Sequence, residues 1–445
     1  MLFLLLLFGP CAFQDSELYI NEKFRVEFVL LDVVATDKKG NILTDLKESD
    51  FVVTENGKKV DITYFEVLDY LSEEVPDSAD LPEEYREVET KPVQQIIVAL
   101  DLESAEPGKT KNAFQQLRRF FQNLDPSRRY LINLYSLERG SQTKGFVTDP
   151  KEVIEVINHL ETRHFDFLLD RDGSRGDLLL GDDTGSRVSM SQGRGGHGGN
   201  LMDGVNNMRE LEQAFETCRK TYGGEREYLH RCIGDTLSAF FEQQEIRTER
   251  VIGELEVLAY KFKENKGLKT MLFVSPGFAL RNISSAVALA SAYKMNNRIE
   301  NEAAQLPNSG TLHLDTDFRR VVHACIKNRV IFHSFDVFNT GDDHTRSVSA
   351  AFAGIPSGVI TGAYKTYNYE IGGGLQELAD ESGGTFHRVF ELGNIMQKTL
   401  DENRYFYVLG YSSNASNNPG KFRKIKVKST RKKVKVRHRK GYFGS

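Results

Sequence analysis

A chain of 445 residues is too long for one ordinary domain and long enough to bury a large core, so two or three folded units are expected. Its 40% hydrophobic and 27% charged residues exclude a disordered or collagen-like chain. With 58 Lys and Arg against 63 Asp and Glu, the net charge of −5 excludes nucleic-acid binding by bulk charge.

The amino terminus, MLFLLLLFGPCAFQDS, is an apolar run that stops at small residues and turns polar, which predicts a signal peptide over residues 1–14. It departs from the usual pattern in having no Lys or Arg before the apolar core. Pro10 stands where a small residue should precede a lipidated Cys11, which argues against a lipoprotein. No later apolar run reaches spanning length, so an integral membrane protein is excluded and a secreted, periplasmic or cell-surface location is expected.

Residues 22–68 alternate apolar and polar positions and carry Asn56-Gly57, a type I′ hairpin signal, so they read as half of a β-sandwich. Residues 69–92 follow as a linker, with nine acidic residues against two basic ones over 69–91. From 93 to 403 strands alternate with helices: QIIVALD, RYLINLYSL, KTMLFVS and VIFHSFDV are strands, while TKNAFQQLRRFFQNL and DPKEVIEVINHLETR are helices, the second with Asp149 as N-cap and Pro150 at its first position. Further helices are expected at VIGELEVLAYKFKE, around 318–328, at LQELADESGG and around 392–402. That alternation predicts an α/β unit, a mainly parallel sheet flanked by helices, whose ligands meet the carboxyl ends of the strands.

Two insertions interrupt it, near 165–245 and near 339–374. The first opens on the polar, Gly-rich GDDTGSRVSMSQGRGGHGGN, expected to be a loop, and goes on to helices; the second, with AFAGIPSGVITGAY, is expected to be a contact site or a buried cap. Cys218 and Cys232 flank a Gly-Gly turn between two helical patterns, so a helix hairpin brings them either to a disulfide or to two buried thiols, and Cys325 lies on an apolar face.

Residues 404–445 return to β pattern and are expected to complete the sandwich. Ile425 and Val427 alternate with Lys424, Lys426 and Lys428, and Val434 and Val436 with Lys433, Lys435 and Arg437. The basic face is either a solvated surface guarding an edge strand or a contact for an anionic surface.

The order of elements, with ALDLESA ending the first strand, resembles a von Willebrand factor A domain. VVATDKKGNILTDLKESDFVVTENGKKVDITYFE, VSPGF, ADESGGTF and YFYVLGYSS followed by FRKIKVKSTRKKVKVRHRKGYF are similar to a von Willebrand factor A-related family of exported proteins described mainly from Acidobacteria. The resemblance implies architecture more than activity. Metal-binding A domains place D-x-S-x-S after the first strand, a threonine in a second loop and T-D-G after a later strand. Asp101 matches the first position, but Glu103 and Ala105 stand at the serines, Ser275-Pro276-Gly277 replaces the last motif, and Thr162 aligns loosely with the threonine. Asp101, Glu103 and Ser104 are therefore a degenerate Mg or Ca site, or residues that cap the following loop without a metal.

A Rossmann fingerprint, a nucleophile elbow, an HExxH helix and a P-loop are all lacking, so no catalytic residues are assigned and no cofactor is expected. The function expected is an exported, non-catalytic binding, adhesion or scaffolding protein that meets a protein or polysaccharide. The alternatives are a metal-dependent adhesion module that binds a ligand carboxylate through Asp101, and a hydrolase built from Asp101, Glu103 and His333 or His313.

Overall fold

The computed structural model describes residues 27–72, 92–102, 105, 107–171, 207–281, 283–295, 314–339, 355–413 and 420–444. The signal segment, nearly all of the acidic linker, Glu103, Ser104, His313 and the Gly-rich run of the first insertion lie outside them.

A six-stranded sheet is built from β5 (Gln94–Leu100), β6 (Tyr130–Ser136), β7 (Gly140–Ser141), β8 (Lys269–Val274), β9 (Val330–Asp336) and β10 (Phe386–Arg388), in the order β10-β9-β8-β5-β6-β7. All neighbours are parallel except the short β7. Every residue of β5, β8 and β9 is buried, as expected of strands covered on both faces. Side-chain alternation then sorts β5 between two cores: Ile96, Val98 and Leu100 face one side, Ile97 and Ala99 the other.

Eight α-helices among the described residues cover those faces. On the first side lie α1 (Pro107–Gln122), α2 (Pro150–Arg171) and α8 (Leu392–Glu402), through Phe114, Leu117 and Phe121, Val153 and Ile157, and Met396 and Leu400. The 3- and 4-residue spacing of these positions makes one apolar stripe per helix. Asp149 accepts the Lys151 amide at 2.9 Å and Pro150 opens α2. On the second side lie α3 (Met208–Tyr222), α4 (Arg226–Lys261), α5 (Ser284–Met295), α6 (Asp315–Lys327) and α7 (Ser357–Ser382).

Helix α7 differs from expectation, because it starts inside the second insertion rather than at Leu375. Its Ile360, Ala363, Tyr364, Tyr367 and Ile371 are buried at helical spacing, and this packing outweighs the helix-breaking tendency of its glycines. Gly374 sits where a Cβ would stand 2.6 Å from the Phe278 carbonyl oxygen, so the close approach of two backbones requires it.

The remaining strands form two four-stranded antiparallel sheets. One holds β13 (Lys435–Arg437), β1 (Glu27–Thr36), β11 (Tyr405–Ser413) and β4 (Tyr64–Asp69), in that order; the other holds β14 (Gly441–Phe443), β12 (Phe422–Ser429), β2 (Phe51–Glu55) and β3 (Lys58–Val60). Asn56 and Gly57 join β2 to β3 at φ 47° and 83°, the left-handed pair that a type I′ turn demands. The two sheets enclose one core of Leu31, Val33, Val53, Tyr407, Leu409, Ile425 and Val427.

The outer face of β1, β4 and β11 is apolar too. Leu30, Leu68, Phe406 and Val408 pack on Leu268, just before β8, and on Ile331, early in β9. Arg329 and Asp32 close the same seam at 2.6 Å. The sandwich thus caps the amino ends of the parallel strands, and the carboxyl ends lie at the opposite pole.

Candidate functional site

Four strands deliver polar groups to those carboxyl ends. Asp101 follows β5, and its amide donates to the Val274 carbonyl at 2.9 Å, which fixes it against the end of β8. Its side chain is fully buried. Oδ2 accepts a hydrogen bond from Ser275 Oγ at 2.6 Å and from Arg247 Nη2 at 3.0 Å. Arg247 reaches in from the middle of α4 and donates its Nη1 to the Gly277 carbonyl at 2.7 Å. The Gly277 amide in turn donates to Ser275 Oγ at 3.0 Å. Gly277 has φ 99°, and a Cβ there would stand 2.7 Å from the Ile371 carbonyl oxygen, so this tight turn is closed to other residues.

Glu138, after β6, accepts the Leu102 amide at 2.6 Å and Ser136 Oγ at 2.6 Å. Burial and then the nearby Asp101 charge push its carboxyl above the ordinary range. Asp336 ends β9. It accepts Arg388 Nε at 2.8 Å on one oxygen, and on the other the amides of Phe338 and Asn339 at 3.1 and 3.0 Å. Burial raises this carboxyl as well, against the opposing pull of Arg388.

Asp101 and its described neighbours do not by themselves assemble a divalent-cation site, and Glu103 and Ser104, the other two candidate ligands, lie outside the described residues. One oxygen of Asp101, Oδ1, is buried without a hydrogen-bond partner, but the other is held by a guanidinium whose positive charge repels a metal. Among the described residues no group of three His, Cys, Asp or Glu stands at metal-binding spacing. Thr162 is no part of the network: its hydroxyl donates to the Asn158 carbonyl of its own helix at 3.0 Å.

No protein-family model, curated protein or solved structure matches the chain.

His333 belongs to a different network, beside the seam with the sandwich. Its Nδ1 meets Thr385 Oγ1 at 2.8 Å, and the same hydroxyl meets His387 Nε2 at 2.8 Å. A cavity of about 570 Å³ opens beside them, lined by Thr385, His387, Arg437 and His438 among others. Burial, then Arg437 and Lys398, pushes His387 down to about 4, and burial, then Arg437 and His387, holds His333 well below its ordinary value. Both shifts favour the neutral ring.

Cys218 and Cys232 are disulfide-bonded across the turn between α3 and α4, while Cys325 is a buried free thiol. No described helix is long and apolar enough to cross a membrane.

The basic residues of the carboxyl-terminal strands divide. Lys424, Lys426 and Lys428 are exposed on β12, whereas exposed Lys435 lies on β13, in the other sheet. Lys433 occupies the intervening turn at φ 68°. Arg437 departs from the solvated face assigned to it by alternation. Its guanidinium turns inward to the Gly383 carbonyl at 2.6 Å and Asn403 Oδ1 at 2.8 Å, and burial pushes it down to about 10.

Arg247, Glu138 and Asp336 were not identifiable as site residues from sequence. Asp336 and Glu138 carry a weak signal, an acid at or just after the end of an apolar strand; Arg247 carries none.

Proposed function

We propose that the chain is an exported, non-catalytic binding or scaffolding protein with a von Willebrand A-like α/β unit, in which an internal cation replaces the metal. The observation that carries this reading is the buried Asp101 carboxylate, paired with Arg247 at 3.0 Å and hydrogen-bonded by Ser275. An A-domain metal site draws on that carboxylate, and here a guanidinium holds its Oδ2. The apolar amino terminus and the Cys218–Cys232 disulfide support passage to an oxidising compartment.

Isothermal titration of the chelator-stripped mature protein with magnesium, manganese and calcium tests the reading. No saturable heat is expected for any of the three. Saturable heat that disappears in Asp101→Ala overturns the reading and makes the protein a metal-dependent adhesion module.

A further inference from the structure

Strand β12 lies inside its sheet: β2 pairs with residues 425–429, and β14 with residues 422–424 on the other side. Beyond β14, the Ile425 amide donates to the Lys440 carbonyl at 2.8 Å and the Val427 amide to His438 Nε2 at 3.0 Å. Guarding an open edge, the usual reason for lysines on a strand, does not apply to a strand hydrogen-bonded on both sides.

Register defines the outward surface. Lys426 stands opposite Thr54, Thr54 opposite Lys59, and Lys428 opposite Val52. Directly paired residues share a face, so Lys424, Lys426, Lys428 and Lys59 all point away from the core, with Thr54 and Val52 between them. Glu55, the one acid of β2, is turned inward and buried. None of the four lysines stands within ion-pair distance of a carboxylate among the described residues. Three ammonium groups therefore stand in line along β12, about 6.8 Å apart at two residues each. They repel one another, on a strand where lysine is a poor β-former.

We infer that this face of the β-sandwich binds a linear anionic glycan, its carboxylates or sulfates lying along the row of lysines. A row of point charges matches a polymer that carries charge at intervals, and lysine supplies charge without the bidentate fork that selects one planar group. No aromatic ring stands between Lys424 and Lys428 on which a nucleic-acid base would stack; the rings at the end of this face, Phe422 and Phe443, are half-buried and pack on each other with centroids 5.1 Å apart. The apolar side chains of this face, Val52, Phe422 and Phe443, are half-buried rather than projecting to enter a bilayer. The inference rests on reading the chain as a binding protein, and its test separates the two.

Binding of the mature protein to polygalacturonate, heparin, neutral dextran and vesicles of anionic phospholipid is measured at low and physiological salt. Saturable, salt-weakened binding to polygalacturonate or heparin is expected, with none to dextran. The triple variant Lys424→Gln, Lys426→Gln, Lys428→Gln should weaken it about tenfold, the sum of three exposed charge contacts. The Lys→Arg triple should retain it, and thermal melting of each variant shows that the fold is intact. Absence of binding at low salt, equal binding by the Gln triple, or preference for vesicles over both polyanions overturns the inference. Shortening of the polygalacturonate, read as new reducing ends, overturns the non-catalytic reading and leaves the lysine face standing.

Discussion

The carboxyl pole of the parallel sheet and the lysine face of the sandwich are both rich in charge, and they treat it in opposite ways. At the pole the charges are closed in: Asp101 with Arg247 and Ser275, Asp336 with Arg388, Glu138 with the Leu102 amide. On the sandwich, Lys424, Lys426 and Lys428 are exposed and have no carboxylate within ion-pair distance among the described residues. A buried charge without a partner is too costly to keep, so pairing at the pole is what folding itself demands. Exposed charges cost little whether paired or not, so nothing in folding explains why they are alike and aligned. Position in an α/β sheet singled out the pole as the binding site, whereas the charge balance points to the sandwich.

The largest effect that can break this contrast is at Arg247. Replacing it by Met leaves the Asp101 carboxylate buried and uncompensated and should cost about 3–5 kcal/mol, read from urea unfolding. Adding Asp101→Asn should recover a large part of that loss. An Arg247→Met protein as stable as the parent would show that the pole is not closed by this pair.

Glu55 sharpens the contrast within one sheet, since it lies on the inner side of the strand that neighbours the lysines. Burial pushes its carboxyl up, but hydrogen bonds from Tyr411, Ser413, Tyr442 and Arg423 outweigh burial and hold it below its ordinary value of 4.5. A carboxylate lowered in the folded state contributes stability above its unfolded value, and that contribution is lost as pH falls through the folded one. Acid unfolding below pH 4.5 should therefore be steeper in the parent than in Glu55→Gln. At pH 7 the substitution should cost about 2 kcal/mol through weakened charge-assisted bonds.

The smallest effect belongs to the lysine face. The triple Gln variant should unfold within about 0.5 kcal/mol of the parent. A loss much larger than that would mean that the lysines do serve the fold.

The parallel sheet was legible because continuous apolar runs such as QQIIVAL and KTMLFV can only be strands covered on both faces. The same logic placed Ile425 and Val427 inward and the lysines of β12 outward. The α4 helix was legible around Cys232 and again from Val251 but not through its middle, because QQEIRTER reads as a polar surface although Gln244, Arg247 and Thr248 are buried in it. A buried arginine is visible only through its partner, and Asp101 lies 146 residues away. Helix α7 was hidden for the converse reason: glycines that look like loop punctuation are the points where Phe278 and Arg388 press against it. The meeting of His333 with His387 likewise depends on the parallel pairing of β9 with β10, which no local pattern states.

The sandwich is sewn from strands that precede and follow the α/β unit: Glu27 pairs with Ser413, and Val34 with Arg437. A tensile load applied through the chain on either side of residues 27 and 443 therefore runs through the sandwich. The antiparallel ladder between β1 and β11 must part before the parallel sheet bears any force. The α/β unit is mechanically shielded by its own connections, as an inserted segment in a closed loop is. If the outer sheet holds a polymer as inferred, that arrangement puts the grip and the strained element in the same small β-sandwich and spares the large domain.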